Sequence, residues 1–437
     1  MQTPKRVAVI GAGVIGCAIA LQLGRKGYRT VNIDKHPEVG YGSTSHSCAV
    51  VRFSYSILDT AALAYEGYHY WKHWAQFIGV EDERGLARYT QCGHLMLRTG
   101  RDDRRQVLEF YKTLNIPYEE WDNAEIRRRL PLYNTRLQGP VVPVDDPAFW
   151  NEAGGTAELA GGIFAPEAGY VGDPQLATHN LRRAVEAQGG EFLLRREVAG
   201  IVRDGGRVAG LALGDGSRVD ADIVVNAAGP YSFVINRMAG IEAGMSIKTR
   251  ALRREVHHVP SPAGFDFEHD GVMTSDGDLY LYFRPETGNK ITIGSGDPPC
   301  DPQTWVDDPD HFNREFTDSQ WRAQVYRAAR RIPELPIPSR AQGVVDLYDV
   351  ADDWVPIYDR SDLPGFYLAI GTSGHQFKNA GAVGDLMAEL IDACESGRDQ
   401  DADPLPYRCR YTRRTIDTAT FSRRRAVNRD SSFSVRG

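Results

Sequence analysis

The stretch Arg6-Val-Ala-Val-Ile10-Gly11-Ala-Gly13-Val14-Ile15-Gly16, with its helical continuation and the following Thr30-Val-Asn-Ile-Asp34, decides the fold. An apolar strand that feeds a helix through three glycines brings backbone N–H groups, and the positive end of the helix dipole, up to a pyrophosphate. Gly11 permits the tight turn, Gly13 leaves room for phosphates, and Gly16 lets the helix lie close on the strand. Asp34, 18 residues beyond Gly16, ends the second strand where a carboxylate can accept hydrogen bonds from an adenosine ribose, with Lys35 next to it. The pattern predicts a dinucleotide site that also runs past Val14 and Ile15. Lys5 and Arg6 ahead of the apolar run to Leu23 would suit a secretory signal, but the glycine spacing and the immediate return to a strand at Val31 disfavour it.

At 437 residues the chain has room for two intimately joined domains and a large core. Its 42% apolar and 25% charged residues are ordinary for a globular protein, and its other apolar runs are strand-sized, so no membrane span is expected. A net charge of −7 argues against general affinity for nucleic acid. Six cysteines lie scattered without CxxC spacing, which predicts neither a zinc cage nor a disulfide framework and fits a reducing, cytoplasmic setting. His69 and His73 sit four apart on a predicted helix without a third ligand nearby, so a solvated face is expected there and no metal. Residues 405–437 carry nine arginines against Asp417 and Asp430. This basic tail reads as a solvated or disordered end, with a dock for an acidic partner or another subunit as the sharper alternative.

Farther along, the small polar loop from Tyr41 to Cys48 offers the Ser43 and Thr44 hydroxyls and the Gly42 amide to phosphate oxygens. A helix is expected over Asp103–Leu114 and another over Pro174–Gln188, with a hairpin around Asp204-Gly205-Gly206. Asp222 to Gly229 reads as a buried strand that stops at a glycine turn. From Ile247 to Ile293 the pattern alternates, as in an antiparallel sheet with one buried face. Gly371-Thr-Ser373-Gly374-His375-Gln376-Phe-Lys378 then makes a second strand-to-helix turn whose amides and Lys378 suit a negative charge.

Together these residues resemble the FAD-dependent D-amino-acid oxidase, glycine oxidase and sarcosine oxidase family over most of residues 5–395. The resemblance rests on the fingerprint with Asp34, Gly42-Ser43-Thr44 with Val51-Arg52-Phe-Ser-Tyr55, Ile163 to Gly169, Asn226-Ala-Ala228-Gly229, and above all Gly371 to Lys378. It implies an α/β fold in which a Rossmann-like FAD-binding domain (1–80, 156–235 and 343–400) interleaves with an antiparallel-sheet α+β substrate domain (81–155 and 236–342), leaving 401–437 as the tail. It further implies that Val198, Ala228 and Gly229 join the first turn around FAD, that Gly371, Ser373, Gly374, His375 and Gln376 lie at the isoalloxazine end, and that Arg52 and Lys378 hold a substrate carboxylate. Tyr280, Tyr282 and Arg284 fall on the strand that roofs the substrate cavity in relatives.

The expected activity is oxidation of the C–N bond of an amino acid or a secondary or N-methyl amine bearing a carboxylate, by hydride transfer to flavin N5, with water hydrolysing the imine. Oxidation of a 2-hydroxy acid on the same fold, a flavin-holding subunit of a larger complex and, more distantly, a nicotinamide enzyme are the alternatives. A partner subunit or homo-oligomer is compatible with all of these. Asp346 stands where monomeric sarcosine oxidase carries its flavin-bonded cysteine, which argues against that thioether. His46 resembles the flavin-bonding histidine of dimethylglycine dehydrogenases, so it either hydrogen-bonds the cofactor or carries it. Thr292 and Gly296 replace a lysine and a histidine of monomeric sarcosine oxidase, which argues against direct use of oxygen.

Overall fold

A computed structural model describes residues 4–100, 104–151 and 156–435. The expected helix start at Asp103 and the domain edge at residue 155 lie outside them; the helix is seen over Arg105–Leu114.

The fingerprint folds as β1 (Arg6–Ile10), α1 (Val14–Arg25) and β2 (Arg29–Asp34). Beside β1 runs Ile223–Asn226 on one side and β2 on the other, both parallel, with Val9 opposite Val225 and Asn32. Phe366–Ile370 and Glu191–Leu194 extend the parallel set outward, and Ile357–Arg360 closes one edge in antiparallel sense, giving a six-stranded sheet. Val7, Ala8 and Val9 are buried, as a strand covered on both faces requires. The covering layer on one side is α1 packed against the helix Ala380–Glu395. That contact is close because a Cβ on Gly384 would stand only 2.6 Å from the Ala18 carbonyl oxygen.

The second large sheet is mostly antiparallel. Thr249–Pro260 lies between Lys290–Ser295 and the long strand Gly343–Ala351, and the sheet continues through Leu281–Glu286 and Met273–Asp276 to His94–Leu97 and Gly162–Ala165. Residues 162–165 and 343–351, assigned at the sequence level to the FAD-binding domain, are therefore hydrogen-bonded into the other sheet. Which sheet a strand joins is set by partners distant in sequence and cannot be read from its own residues. The expected helix through residues 61–78 is two helices, Leu58–Lys72 and Trp74–Ile78, broken at His73. The His73 Nδ1–H donates within its own turn to the His69 carbonyl, and both rings stack on Tyr411.

The tail departs most from expectation. Tyr407, Cys409, Ile416 and Phe421 are buried in the same apolar core as α1. Arg423 is 0% exposed, and its guanidinium donates to Asp359 at 2.9 Å and to both oxygens of Asp401 at 2.8 and 3.0 Å. Arg425 forms a two-point pair with Asp353 at 2.9 and 2.7 Å. The described part of the tail is thus packed onto the protein rather than a loose end. Arg423, Arg424 and Arg425 are matched to acids of this chain, and Asp353, Asp359 and Asp362 among these lie 61 to 72 positions earlier, too far for a local charge count to register.

Candidate active site

One cavity of about 590 Å³ joins the two glycine turns, touching Gly13 at one end of the chain and Gly374 near the other. The volume falls in the range of small-molecule and cofactor sites. At the first turn, Gly11 has φ +112°, and a Cβ there would stand 2.3 Å from the Ala227 carbonyl oxygen. Gly13 is the N-cap of α1 and contributes no side-chain cap, and no acidic residue sits in the first helical turn. The helix therefore presents its positive end to the cavity with no acid of its own first turn against it, a setting suited to a pyrophosphate. Thr44 lies over this end and accepts the Val14 N–H at 3.2 Å. Asp34 accepts the Ala12 N–H at 2.8 Å and the His36 N–H at 2.9 Å, so it fixes the loops around the site as well as lining it.

Of the residues expected around the cofactor, Gly11, Gly13, Val14, Ile15, Asp34, Lys35, Gly42, Ser43, Thr44 and His46 line the cavity. So do Val198, Ala228, Gly229, Gly374, His375, Gln376 and Lys378. Gly16, Gly371 and Ser373 do not. Gly16 backs onto the Gly11 carbonyl, where a Cβ would come within 2.3 Å. The Gly371 N–H is held by the Asp349 carboxylate at 2.6 Å, and the buried Ser373 hydroxyl returns to the Gly371 carbonyl at 3.1 Å. These three shape the turns from behind. Lys35 lines the cavity with its ammonium already engaged, by Asp310 and by the Tyr231 ring 3.8 Å away. His46 Nδ1 is 2.5 Å from Asp346, whose hydrogen bond raises the imidazole pKa against the opposing effect of burial.

The four residues expected at the substrate end, Arg52, Tyr280, Tyr282 and Lys378, all reach the cavity. Arg284 does not; it is buried away from it beside Glu286 and the Tyr170 ring. Tyr280 precedes its strand, at φ +53°, and its carbonyl takes the Gly296 N–H at 2.7 Å. The Tyr282 hydroxyl meets Cys48 Sγ at 3.6 Å. Lys378 is 2% exposed on a short 3-10 turn, Phe377–Asn379, which leads into the helix Ala380–Glu395. Its ammonium donates to the Tyr55 hydroxyl at 2.8 Å and to the His375 carbonyl at 2.6 Å. Among the described residues no carboxylate comes within ion-pair distance of it, and burial, followed by repulsion from Arg52, pushes its pKa well below that of a free lysine. Arg52 also lies over the Tyr55 ring, 4.7 Å from its centroid, and donates to the Ser54 and Val435 carbonyls. Both cations thus gather around Tyr55 and line one cavity.

The side chains of His375 and Gln376 support this arrangement. His375 Nε2–H donates to the Trp354 carbonyl at 3.0 Å while Nδ1 accepts from the Gln376 amide at 2.8 Å, which fixes a neutral tautomer; burial and then Lys378 drive the imidazole pKa well down. Sequence reasoning missed Arg254, Tyr348, Asp349 and Val435, all of which line the cavity. Asp349 accepts from Ser232 Oγ at 2.6 Å and from the Gly371 N–H, tying the turn after Asn226 to the second glycine turn; burial raises its pKa to about 7. Its strand, Gly343–Ala351, carries two acids, Asp346 and Asp349, and nothing in the sequence separates one from the other.

Comparison with known proteins agrees with this geometry. The family model described as FAD dependent oxidoreductase matches residues 6–390, and the chain belongs to that family. It is an FAD-dependent oxidoreductase in class. Among curated proteins it is 26% identical over 396 residues to the sarcosine oxidase subunit beta of Rhodobacter capsulatus, covering 88% of this chain and 84% of that one. It is likewise 26% identical over 437 residues to the D-amino acid dehydrogenase of Paramagnetospirillum magneticum, covering 91% and 97%. In fold it is similar to L-proline dehydrogenase from P. horikoshii, with TM-score 0.72 at 21% identity over 92% of this chain and 98% of the other. Glycine oxidase from Geobacillus kaustophilus gives TM-score 0.71 at 20% identity, covering 97% and 100%.

The cradle fits FAD on its own terms, through the helix N-terminus at the cavity, the two glycines, Gly11 and Gly16, with no room for a Cβ, and the Asp34 carboxylate in the lining. Gly11→Ala is expected to abolish flavin binding, since the added methyl would meet backbone carbonyl and the φ is one that L side chains rarely adopt. The ratio of visible to ultraviolet absorbance of the purified variant checks this; a normally yellow protein would contradict it.

Proposed function

We propose that the protein oxidises the C–N bond of a small amino acid or secondary amine that carries a carboxylate. The observation that carries this reading is Lys378: a buried ammonium whose hydrogen-bond acceptors are neutral, facing a shared space with the Arg52 guanidinium. An unmatched buried cation is unfavourable until an anion arrives, so the pair favours a carboxylate over any neutral group. The substrates in the names of the relatives, sarcosine, D-amino acids, L-proline and glycine, are all amines with a carboxylate.

When bound, FAD supplies the two-electron acceptor that takes the hydride from the carbon beside the amine. The chain's residues bind and orient. Arg52 and Lys378 fix the carboxylate, Tyr280 and Tyr282 bound the space around the side chain, and the Gly371–Gly374 turn with Asp349 behind it sets the far wall. Loss of hydride from a neutral amine leaves an iminium ion, and water then splits it to a carbonyl compound and a released ammonium or alkylammonium ion. No protein base is required for that step. Positioning of this kind contributes several kcal/mol.

An anaerobic panel tests the reading. At least one carboxylated amine is expected to bleach the flavin; bleaching by 2-hydroxy acids and by no amine would overturn it. The proposal also fixes a pH dependence. Because burial depresses the Lys378 pKa, the empty site disfavours the protonated form, and a bound carboxylate restores it. Ligand binding is therefore expected to take up a proton above the depressed pKa and to weaken as pH rises. Calorimetry in buffers of different ionisation enthalpy checks this, with zero proton uptake as the contrary result. For the ligand-free fold the sign is opposite: stability is fully present above the pKa of an unfolded lysine, is lost as pH falls from there toward the depressed value, and no longer changes below it.

A further inference from the structure

The family match ends at residue 390, yet the chain beyond it returns to the cavity. Arg423 and Arg425 pin the tail to Asp359, Asp401 and Asp353, well before its last described residues. From Ser431 onward the backbone crosses the substrate end of the site. The Ser432 N–H donates to Ser56 Oγ at 3.2 Å, just past the Arg52–Tyr55 segment. Ser431 and Ser434 are buried, whereas Phe433 between them is 44% exposed, as for a strand of chain with one side on the protein and one in solvent. Val435 packs against the cluster of Leu252, Val350 and Trp354, alongside Tyr348, and it lines the cavity. Its carbonyl accepts from Arg52 Nη2 at 2.7 Å.

We propose that Ser431–Val435 is a specificity strap: it walls the substrate end of the cavity, limits the size of the substrate's side chain, and fixes the orientation of Arg52. Two features carry the proposal. Val435 lines the cavity and packs with Tyr348 against the Leu252, Val350 and Trp354 cluster, and close-packed walls reject added bulk. The Val435 carbonyl, a neutral acceptor on a cation, holds one edge of the guanidinium in place and so fixes its orientation at the cavity. Because the arginine anchors precede it, the strap is separable from the fold. The size limit rests on the carboxylated-amine reading; the wall itself does not.

The test compares the FAD-loaded full-length protein with a truncation ending at Asp430, and with Val435→Trp in the full chain as a variant that keeps the strap. Two quantities are read. The first is the rate at which N-ethylmaleimide labels Cys48, which lines the cavity, with the site located by peptide mass analysis. The second is the dissociation constant of acetate and of phenylacetate from the change each makes in the flavin spectrum. Truncation is expected to speed Cys48 labelling at least fivefold and to lower the phenylacetate-to-acetate ratio at least tenfold, with flavin content unchanged. Val435→Trp is expected to raise that ratio. Unchanged labelling on truncation, or a ratio indifferent to both variants, overturns the strap. If truncation speeds labelling while neither acid perturbs the flavin in any protein, the wall stands and the carboxylate reading falls.

Discussion

Lys378→Met is expected to raise KM for the carboxylated substrate by about 10- to 150-fold, with FAD content close to that of the unaltered protein. A charge-assisted hydrogen bond contributes about 1.5–3 kcal/mol, and that range sets the fold-change. Methionine keeps the apolar stem in its packed position beside Tyr55 and removes only the ammonium, so the turn should survive. An interaction made equally in the bound and reacting states appears in KM rather than in kcat. Arg52→Ala is expected to act in the same direction. The double variant should lose less than the product of the two effects, because both cations grip one carboxylate. Steady-state kinetics alongside a flavin stoichiometry checks the whole set. Unaltered KM in both single variants would remove the carboxylate clamp from the site.

Arg423→Met should destabilise the fold by about 3–5 kcal/mol, the usual effect of removing one partner from a buried ionic network. The guanidinium is fully buried and bridges Asp359, Asp362 and Asp401, which belong to two different segments of the chain. Removing it leaves Asp359, itself buried, with its charge uncompensated. The tail would then lose its hold on residues 246 and 247, whose backbone N–H groups donate to the Arg423 carbonyl. The same cluster fixes an acid limit. Burial alone would raise the Asp401 pKa, but hydrogen bonds from Arg423 and Arg360 hold it at about 2, against an ordinary 3.8. For a depressed carboxyl the stabilisation is present above the unfolded value and is lost as pH falls through the folded one. The contribution of Asp401 should therefore fade between about pH 4 and pH 2. Denaturant midpoints of the two proteins across that window check it; equal midpoints at neutral pH would show that the tail carries no stability.

The two turns were legible in the sequence because each is a local matter. A glycine at +112° beside a carbonyl, or a strand stopping at Asp34, is encoded within a few residues, and the lysine that follows the second turn travels with it. The tail was misread for the converse reason: Arg423 has its partners at positions 359, 362 and 401, and a run of arginines gives no sign of where its acids lie. Asp349 and Val435 escaped in the same way. The first looks like any strand residue until its carboxylate is seen holding Ser232 and Gly371, and the second acts through its carbonyl, which every residue has. Gly371 and Ser373 show the opposite error, in which a motif is right as a whole while some of its members face the scaffold instead of the ligand.

The central claim is that two buried cations select a carboxylate for oxidation at the adjacent carbon. It is tested most directly by anaerobic stopped-flow with matched pairs, each a carboxylated amine and the same amine lacking the carboxylate. Flavin reduction by the carboxylated member, at least tenfold faster at equal low concentration, is the predicted result. Equal rates for the two members would contradict the account.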